Sequence, residues 1–345
     1  MKMGVNLAEI LISREIKAED LKGKVIAVDA SNWIYQFLSV IRQPDGSLLT
    51  DRKGRVTSHL MGLFTRNIKL IQLGISVVYV FDGKPPDLKI VTQQKRQETK
   101  ANAEKEYKKA LAKQDIEEMR KYAAMTSRLT EEMVAESKEL LQALGIAILQ
   151  APSEGEAQAA FLVKNKDAYA VGSQDTDSML FGAIRAVRNL GFSSKRRIGK
   201  ARYVSISPEL FDLKENLKHQ DITYEQLIVL AILVGTDYNY GGIPGIGPKK
   251  ALGLVKKYGK NFDKIFSEVR WKQYFNYSWK EVFDLFLKMD VTDKYKIKQI
   301  LPNRDKILKI LIEDHDFSEG RVNSLLEPFL EYCKKKQKGL GEFFD

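Results

Sequence analysis

Seven acidic residues stand where apolar runs of this sequence stop or where a helix is about to begin: Asp29, Asp82, Glu154, Glu156, Asp175, Asp177 and Asp237. A single aspartate after a strand is ordinarily a turn residue, because its carboxylate bonds to its own backbone. A set of them on one rim is a different matter. Like charges at close range raise each other's pKa and destabilise the fold, and divalent cations relieve the repulsion. The chain has one cysteine, Cys333, and three histidines, so sulfur or imidazole ligation is poorly provided for. An all-oxygen donor set selects Mg²⁺, with Mn²⁺ as its substitute. Two such ions about 3.5 to 4 Å apart can stabilise both the attacking and the leaving oxygen of a phosphodiester. Metal-assisted phosphate-ester hydrolysis is the chemistry these residues could perform.

Their placement calls for a parallel sheet. Three short apolar runs, "KVIAVDA" (24–30), "VVYVFDG" (77–83) and "DAYAVGSQD" (167–175), read as buried parallel strands, and each ends in an aspartate. Helix-like stretches at 58–73 and 130–144 alternate with them, so the fold class is α/β, a mostly parallel central sheet flanked by helices. In such sheets the site lies beyond the carboxyl ends of the strands. In "APSEGEAQAAFLV", Ser153 reads as an N-cap and Glu156, three residues on, as its capping-box partner, which puts Glu154 and Glu156 in the first helical turn. Asp237 follows the apolar helix ending in "AILVGTD".

With 56 Lys+Arg against 45 Asp+Glu the formal charge is +11, which favours a polyanionic partner. Residues 84–128 are rich in charge and poor in large apolar side chains, as expected of a helical excursion from the core. On it, Lys89 and Arg96 lie about two helical turns apart and can face the acids together. Residues 185–202 hold seven basic residues and no acid, and read as a basic loop or hairpin facing phosphates. The segment "GGIPGIGPKKA" (241–251) is the most specific local pattern. Gly242, Gly245 and Gly247 allow a tight turn with exposed amides, Pro248 opens a helix, and Lys249 and Lys250 follow, a helix-hairpin-helix pattern for gripping a DNA backbone. At the C-terminus, Gln337, Leu340, Phe343 and Phe344 form an apolar plug on a basic tail, with Leu340 and Phe343 eclipsing in a 3₁₀ turn. The longest apolar run, 227–234, is too short to span a bilayer and residues 1–9 carry no signal-peptide core, so a soluble protein of a reducing compartment is expected.

The motifs "VDASNWIYQFL", "SHLMGLF", "VYVFDGKPPDLK", "APSEGEAQAA", "GSQDTDSMLFG", "LVGTDYNYGGIPGIGPKKA" and "QKGLGEFF" occur in one order that resembles the flap endonucleases of archaea and eukaryotes, within the structure-specific 5′ nucleases. The resemblance runs from about Gly4 to the last residue. It implies a PIN-like 5′ nuclease fold, with a nuclease domain over 1–328 that includes a helical arch at 84–130 and a helix-hairpin-helix region at 225–260, then a tail at 329–345 with a sliding-clamp motif at 337–344. It further implies that the seven acids hold two Mg²⁺ ions and that Lys89 and Arg96 are catalytic cations at the arch base. Tyr35 corresponds to a residue that stacks on a nucleobase, and Arg42 and Arg66 to substrate-contacting arginines. The hairpin would hold duplex DNA with K⁺, and the tail would dock on the sliding clamp. The activity implied is cutting of 5′ flaps one nucleotide into the duplex, with 5′-3′ exonuclease activity, in Okazaki-fragment maturation and base-excision repair, by a monomer. Two features depart from the pattern. Met1 and Lys2 precede the family's Met-Gly start at Met3 and Gly4, which leaves the true start open, and no basic extension follows the clamp motif. The second points to an archaeal, cytoplasmic protein.

Three alternatives use the same residues. A relative that cuts Holliday junctions shares the acids and the hairpin but has less use for the arch and the clamp tail. A phosphatase of the haloacid-dehalogenase type needs Asp-x-Asp after its first strand, and Asp29-Ala30-Ser31 lacks it. A non-catalytic DNA scaffold would have lost a ligand, and all seven acids are present.

Overall fold

The computed structural model describes all residues except 1–4, 6, 8, 114, 124, 191–194, 199–201 and 342–345, together with the backbone alone at 116, 120, 195–198, 202–205 and 337–341. Met1 to Gly4, Phe343 and Phe344 therefore lie outside the described residues, as do the side chains of Gln337 and Leu340.

In chain order the elements are β1 (Arg14–Glu15), β2 (Val25–Asp29), α1 (Ala30–Val40), α2 (Ser58–Gln72), β3 (Ser76–Phe81), α3 (Ile90–Ala112), α4 (Ile116–Ala123), α5 (Glu131–Ala143), β4 (Ala147–Gln150), α6 (Gly155–Lys164) and β5 (Ala170–Gly172). There follow β6 (Arg185–Arg188), β7 (Lys195–Ile198), β8 (Arg202–Ser205), β9 (Glu209–Asp212), α7 (Leu213–Gln220), α8 (Tyr224–Val234), α9 (Pro248–Tyr258), α10 (Phe262–Glu268), α11 (Trp279–Lys288), α12 (Arg304–Leu308) and α13 (Glu319–Gly341). Seven strands form one sheet in the order β1-β9-β6-β5-β2-β3-β4, and β7 and β8 form a separate antiparallel pair that starts in the basic stretch and runs past its end.

From β6 through β4 every pairing is parallel, while β9 runs antiparallel to both β6 and β1. The chain lays down β2, β3 and β4 outward in one direction, then returns to place β5 and β6 on the other side of β2. That reversal between β2 and β5 opens a crevice at the carboxyl ends of the strands. It also explains why the first strand predicted from sequence reads as a continuous apolar run: Ile26, Ala27 and Val28 are all buried, with helices on both faces.

One face carries the larger core, in which Trp33, Phe37, Leu63, Phe64 and Tyr79 pack with residues of α5, α12 and α13. The other face is thinner and rich in alanine, where Ala159 and Ala160 of α6 lie against Ala27, Val78 and Val171. A separate apolar cluster builds on α8, whose residues 227–233 are all buried, with α9, α10, α11 and the N-terminal Val5, Leu7 and Ile10. This cluster carries the hairpin segment on a rigid base. By contrast, α3 and α4 pack mainly on each other and bury little beyond Ala103, Ala110, Met119 and Ala123. So small a core is consistent with the charged excursion read at 84–128.

Candidate active site

The acids meet as the strand pattern requires. Asp29 is both the last residue of β2 and the N-cap of α1, its Oδ1 accepting from the Asn32 backbone N–H at 3.0 Å. Asp82 is the first residue after β3, and it accepts from the Gly155 N–H at 2.7 Å and the Ser31 hydroxyl at 2.5 Å. Asp175 and Asp177 follow β5, and Asp237 lies three residues past α8. All seven line one cavity of about 780 Å³, together with Lys89, Arg96, Tyr35 and Lys100.

The glutamates arrive differently from the sequence expectation. Helix α6 starts at Gly155 with Glu154 as its N-cap, no side chain caps it, and Glu156 is the second helical residue. The capping box assigned to Ser153 and Glu156 does not form. Ser153 instead donates its hydroxyl to the Lys84 carbonyl at 3.1 Å, pinning the turn after β3 to the turn before α6. Both glutamates are thereby left free of the backbone and directed to the cavity.

Sequence reasoning overlooked the residues that hold the acids in place. Asn32 donates its side-chain amide to Asp175 Oδ2 at 3.1 Å and accepts from the Gln174 N–H at 3.0 Å, so one buried residue of α1 ties the loops after β2 and β5 together. Ser173 donates to Asp175 Oδ1 at 3.1 Å. The N–H of Val5 reaches Asp177 Oδ1 at 2.9 Å from 172 positions away. An asparagine three residues after a strand-end aspartate was the one available signal. The Val5 contact has none, because nothing local relates it to Asp177.

Burial and crowding dominate the electrostatics. Desolvation pushes the Asp29 carboxyl well above the usual carboxylate range, and the Asp82 charge pushes it further. Glu156 and Asp177 are raised well above that range too, first by burial and then by the charge of Asp175, and Asp175 is itself raised by burial. Glu154 is raised more modestly, since Lys89 opposes its desolvation. Two cations answer this field. Lys89 Nζ lies 2.5 Å from Glu154 and 3.7 Å from Asp237, and Arg96 lies 2.5 Å from Asp237. Burial alone would lower the Lys89 ammonium, yet Glu154, Asp237 and Asp82 outweigh it and hold it above its ordinary value. Asp29, Glu156, Asp175 and Asp177 have no ion pair among the described residues.

No three Asp, Glu, His or Cys side chains stand in ready-made ligating geometry among the described residues, and Lys89 and Arg96 are paired with Glu154 and Asp237. The donor chemistry nonetheless fits hard divalent cations. An uncompensated excess of buried carboxylate oxygen, with no thiol or imidazole in the cavity, is the environment such ions select.

Two family models match the chain, the XPG N-terminal domain over residues 3–103 and the XPG I-region over 145–237. Flap endonuclease 1 of Aeropyrum pernix is 49% identical over 98% of this chain and 97% of its own length, and that of Pyrococcus abyssi is 52% identical over 99% and 98%. The chain belongs to the flap endonuclease family. Among solved structures, flap endonuclease-1 from Methanococcus jannaschii superposes with a TM-score of 0.77 at 39% identity, covering 96% of this chain and all of that one. The catalytic core of Rad2 in complex with DNA substrate superposes at 0.68 with 26% identity, covering 92% and 96%. This is a structure-specific nuclease, and catalysis in its family depends on divalent metal. No helix among the described residues is long and apolar enough to cross a membrane.

In this flap endonuclease Tyr35 stands at the cavity wall, with Lys100 Nζ 4.7 Å from its ring centroid. Arg42 and Arg66 do not line that cavity. Arg42 donates to the Gly46 carbonyl and the Ser127 hydroxyl, and Arg66 on α2 lines a small separate pocket of about 80 Å³ with Lys69 and Asn189. In the hairpin, Gly242 has φ +59 and an added Cβ would stand 2.3 Å from the Val234 carbonyl, so only glycine fits that turn. At Gly245 and Gly247 a Cβ would meet nothing within 4 Å, so the backbone there faces open space. Pro248 occupies the first turn of α9, and the exposed Lys250 donates to the Gly245 carbonyl.

The raised carboxyls yield a test of the crowding. A carboxyl whose folded pKa exceeds its unfolded one binds its proton more tightly when folded, so its penalty appears as pH rises through the ordinary carboxylate range and is complete above the folded value. In chelator at neutral pH, Glu156→Gln is therefore expected to raise the melting temperature by about 2 °C. The gain should fade as pH falls and the native glutamate is protonated. Calorimetry at neutral and acid pH checks this, and a lower melting temperature at neutral pH would refute the crowding.

Proposed function

We propose that this nuclease binds branched DNA and cuts 5′ flaps near the single-strand/duplex junction, in Okazaki-fragment maturation and base-excision repair, with an associated 5′-3′ exonuclease activity. The observation that carries this is the single cavity in which seven acids meet two cations from the base of α3. Asp29, Asp82, Glu154, Glu156, Asp175, Asp177 and Asp237 would hold two Mg²⁺ ions, for which Mn²⁺ can substitute. When bound, those ions would supply Lewis acidity at the attacking and leaving oxygens of the phosphodiester.

The chain's own residues do the rest. Lys89 and Arg96, placed side by side because a 3₁₀ turn at Asp87–Lys89 runs directly into α3, present positive charge to the scissile phosphate. Tyr35 offers a face on which the base beside that bond can stack, a contact indifferent to sequence. Asn32 keeps Asp29 and Asp175 in register by bonding to both sides of the crevice. The arch at 84–130 admits a single strand, and the hairpin at 225–260, with Gly242, Gly245, Gly247, Lys249 and Lys250, grips the duplex backbone with K⁺ as its partner. Arg42 and Arg66 contact substrate away from the acids. The nuclease acts as a cytoplasmic monomer, and the tail at 329–345 docks Gln337, Leu340, Phe343 and Phe344 on the sliding clamp.

A labelled double-flap DNA, the matching single strand, plain duplex and a four-way junction should be compared with Mg²⁺ and with chelator. Metal-dependent release of the flap as one piece, with the other substrates nearly untouched, is expected, and tight binding without a cut would reject the reading. Asp175→Ala should lose cleavage by at least about 100-fold while flap binding in gel shift is largely kept. Loss of both together would show that binding and chemistry share one site. Removal of residues 337–345 should leave cleavage of bare DNA unchanged and abolish stimulation by the clamp. Equal loss in both assays would make the tail a part of the fold.

A further inference from the structure

A second cavity, also of about 780 Å³, opens between α10 and α11, beyond the hairpin helix α9. Its walls are aromatic. Phe266 and Trp279 stack with centroids 4.4 Å apart, and Trp271 and Phe275 stack at 4.2 Å. Trp271 and Phe266 are buried, but Phe275, Tyr277 and Trp279 are only half-buried and keep ring surface toward the cavity. A small structural core would have closed over those rings, since leaving them open forfeits the transfer free energy of burial.

The rim supplies what the walls lack. Lys280 is paired with Asp263 at 3.1 Å, whereas the exposed Arg270 and Lys272 have no ion pair or side-chain hydrogen bond among the described residues. The amides of Gln273 and Asn276 are likewise without a partner. Arg270 is the informative residue. It follows the C-terminus of α10 in the left-handed conformation, φ 54 and ψ 49, where glycine is the ordinary occupant and any other side chain is strained. The arginine there places a guanidinium on the rim at a cost in backbone conformation. The cavity is also anchored to the chemistry: Tyr277 donates its hydroxyl at 2.8 Å to the carbonyl of Tyr238, the neighbour of Asp237.

We propose that this cavity binds an unpaired nucleotide of a DNA strand, its base stacked against Phe275, Tyr277 and Trp279 and its phosphate held by Arg270 and Lys272. Every base has a π-face, so aromatic stacking suits a strand of any sequence, while unpaired cations complement the phosphate that each nucleotide carries. The free amides of Gln273 and Asn276 can meet base edges without demanding one base. The inference rests on DNA being the partner of this chain, and it adds a strand-binding site apart from the acid cavity.

Tryptophan fluorescence reads the site directly, because Trp33 is sealed in the main core and Trp271 and Trp279 belong to this cavity. The full chain in chelator should be titrated with a five-nucleotide oligothymidylate, an abasic oligomer of the same length, and thymidine monophosphate. Saturable quenching by the oligothymidylate, at least tenfold weaker binding in the Arg270→Gly/Lys272→Ala double variant, and no quenching by the abasic oligomer are expected. Glycine suits the backbone at 270 and both side chains are exposed, so the variant keeps its fold, which a thermal melt verifies. Equal quenching by the abasic oligomer, or undiminished quenching of the variant, would overturn the site. Monophosphate quenching as strong as that of the oligomer at equal nucleotide concentration would overturn its assignment to a strand. Flap cutting with Mg²⁺ is scored separately: cutting without quenching rejects this site alone, and quenching without cutting rejects the flap reading alone.

Discussion

Mutual repulsion among carboxylates is the constraint around which this molecule is arranged. Strand ends, a helix N-cap and the loop after α8 deliver seven acids to one crevice, and burial makes Asp29, Glu154, Glu156, Asp175 and Asp177 less willing to ionise. The cluster persists because the fold around it is overdetermined. Backbone amides from Asn32, Gly155 and Val5 and side-chain donors from Ser31, Asn32 and Ser173 converge on the same carboxylates. Hydrogen bonds to charged groups are among the stronger ones in proteins, and several in a low-dielectric crevice resist the outward push.

The remaining architecture follows from this tension. The buried parallel strands supply a rigid platform, and the reversal of chain direction between β2 and β5 makes the crevice that the acids occupy. Lys89 and Arg96 reach it from a segment with little core of its own, so the cations can move relative to the acids more readily than the acids can move relative to one another. The hairpin belongs to the opposite case. It is fixed on α8, buried from Gln226 to Leu233, and Asn239 knits the turn by donating to the Ile232 carbonyl and accepting from Thr236. The hairpin and the two cations thereby belong to elements of different stiffness.

The one error in the sequence reading shows where local rules stop. Ser153 and Glu156 have the spacing of a capping box, and a local rule was applied to them, but the Ser153 hydroxyl donates to the carbonyl of Lys84, a residue brought near by the parallel packing of β3 and β4. The surroundings of Arg42 and Arg66 were equally beyond local rules: one is bound to the loops at Gly46 and Ser127 and the other stands on α2 beside a separate pocket. In each case a contact of long sequence separation decided the outcome.

Sequence alone determined the fold class, the strand-end aspartates and the hairpin, because each depends on a periodicity or a turn chemistry confined to a few consecutive residues. The apolar runs announced buried strands, and Gly-Ile-Gly-Pro-Lys-Lys announced a turn into a helix. Tertiary structure alone decided which donors hold the acids, that Val5 reaches Asp177, that Lys89 and Arg96 both share Asp237, and that Phe275, Tyr277 and Trp279 stay half-buried at the edge of a core and line a cavity. Those contacts join residues far apart in the chain. Their geometry is set by how helices and strands pack, and no local pattern encodes it.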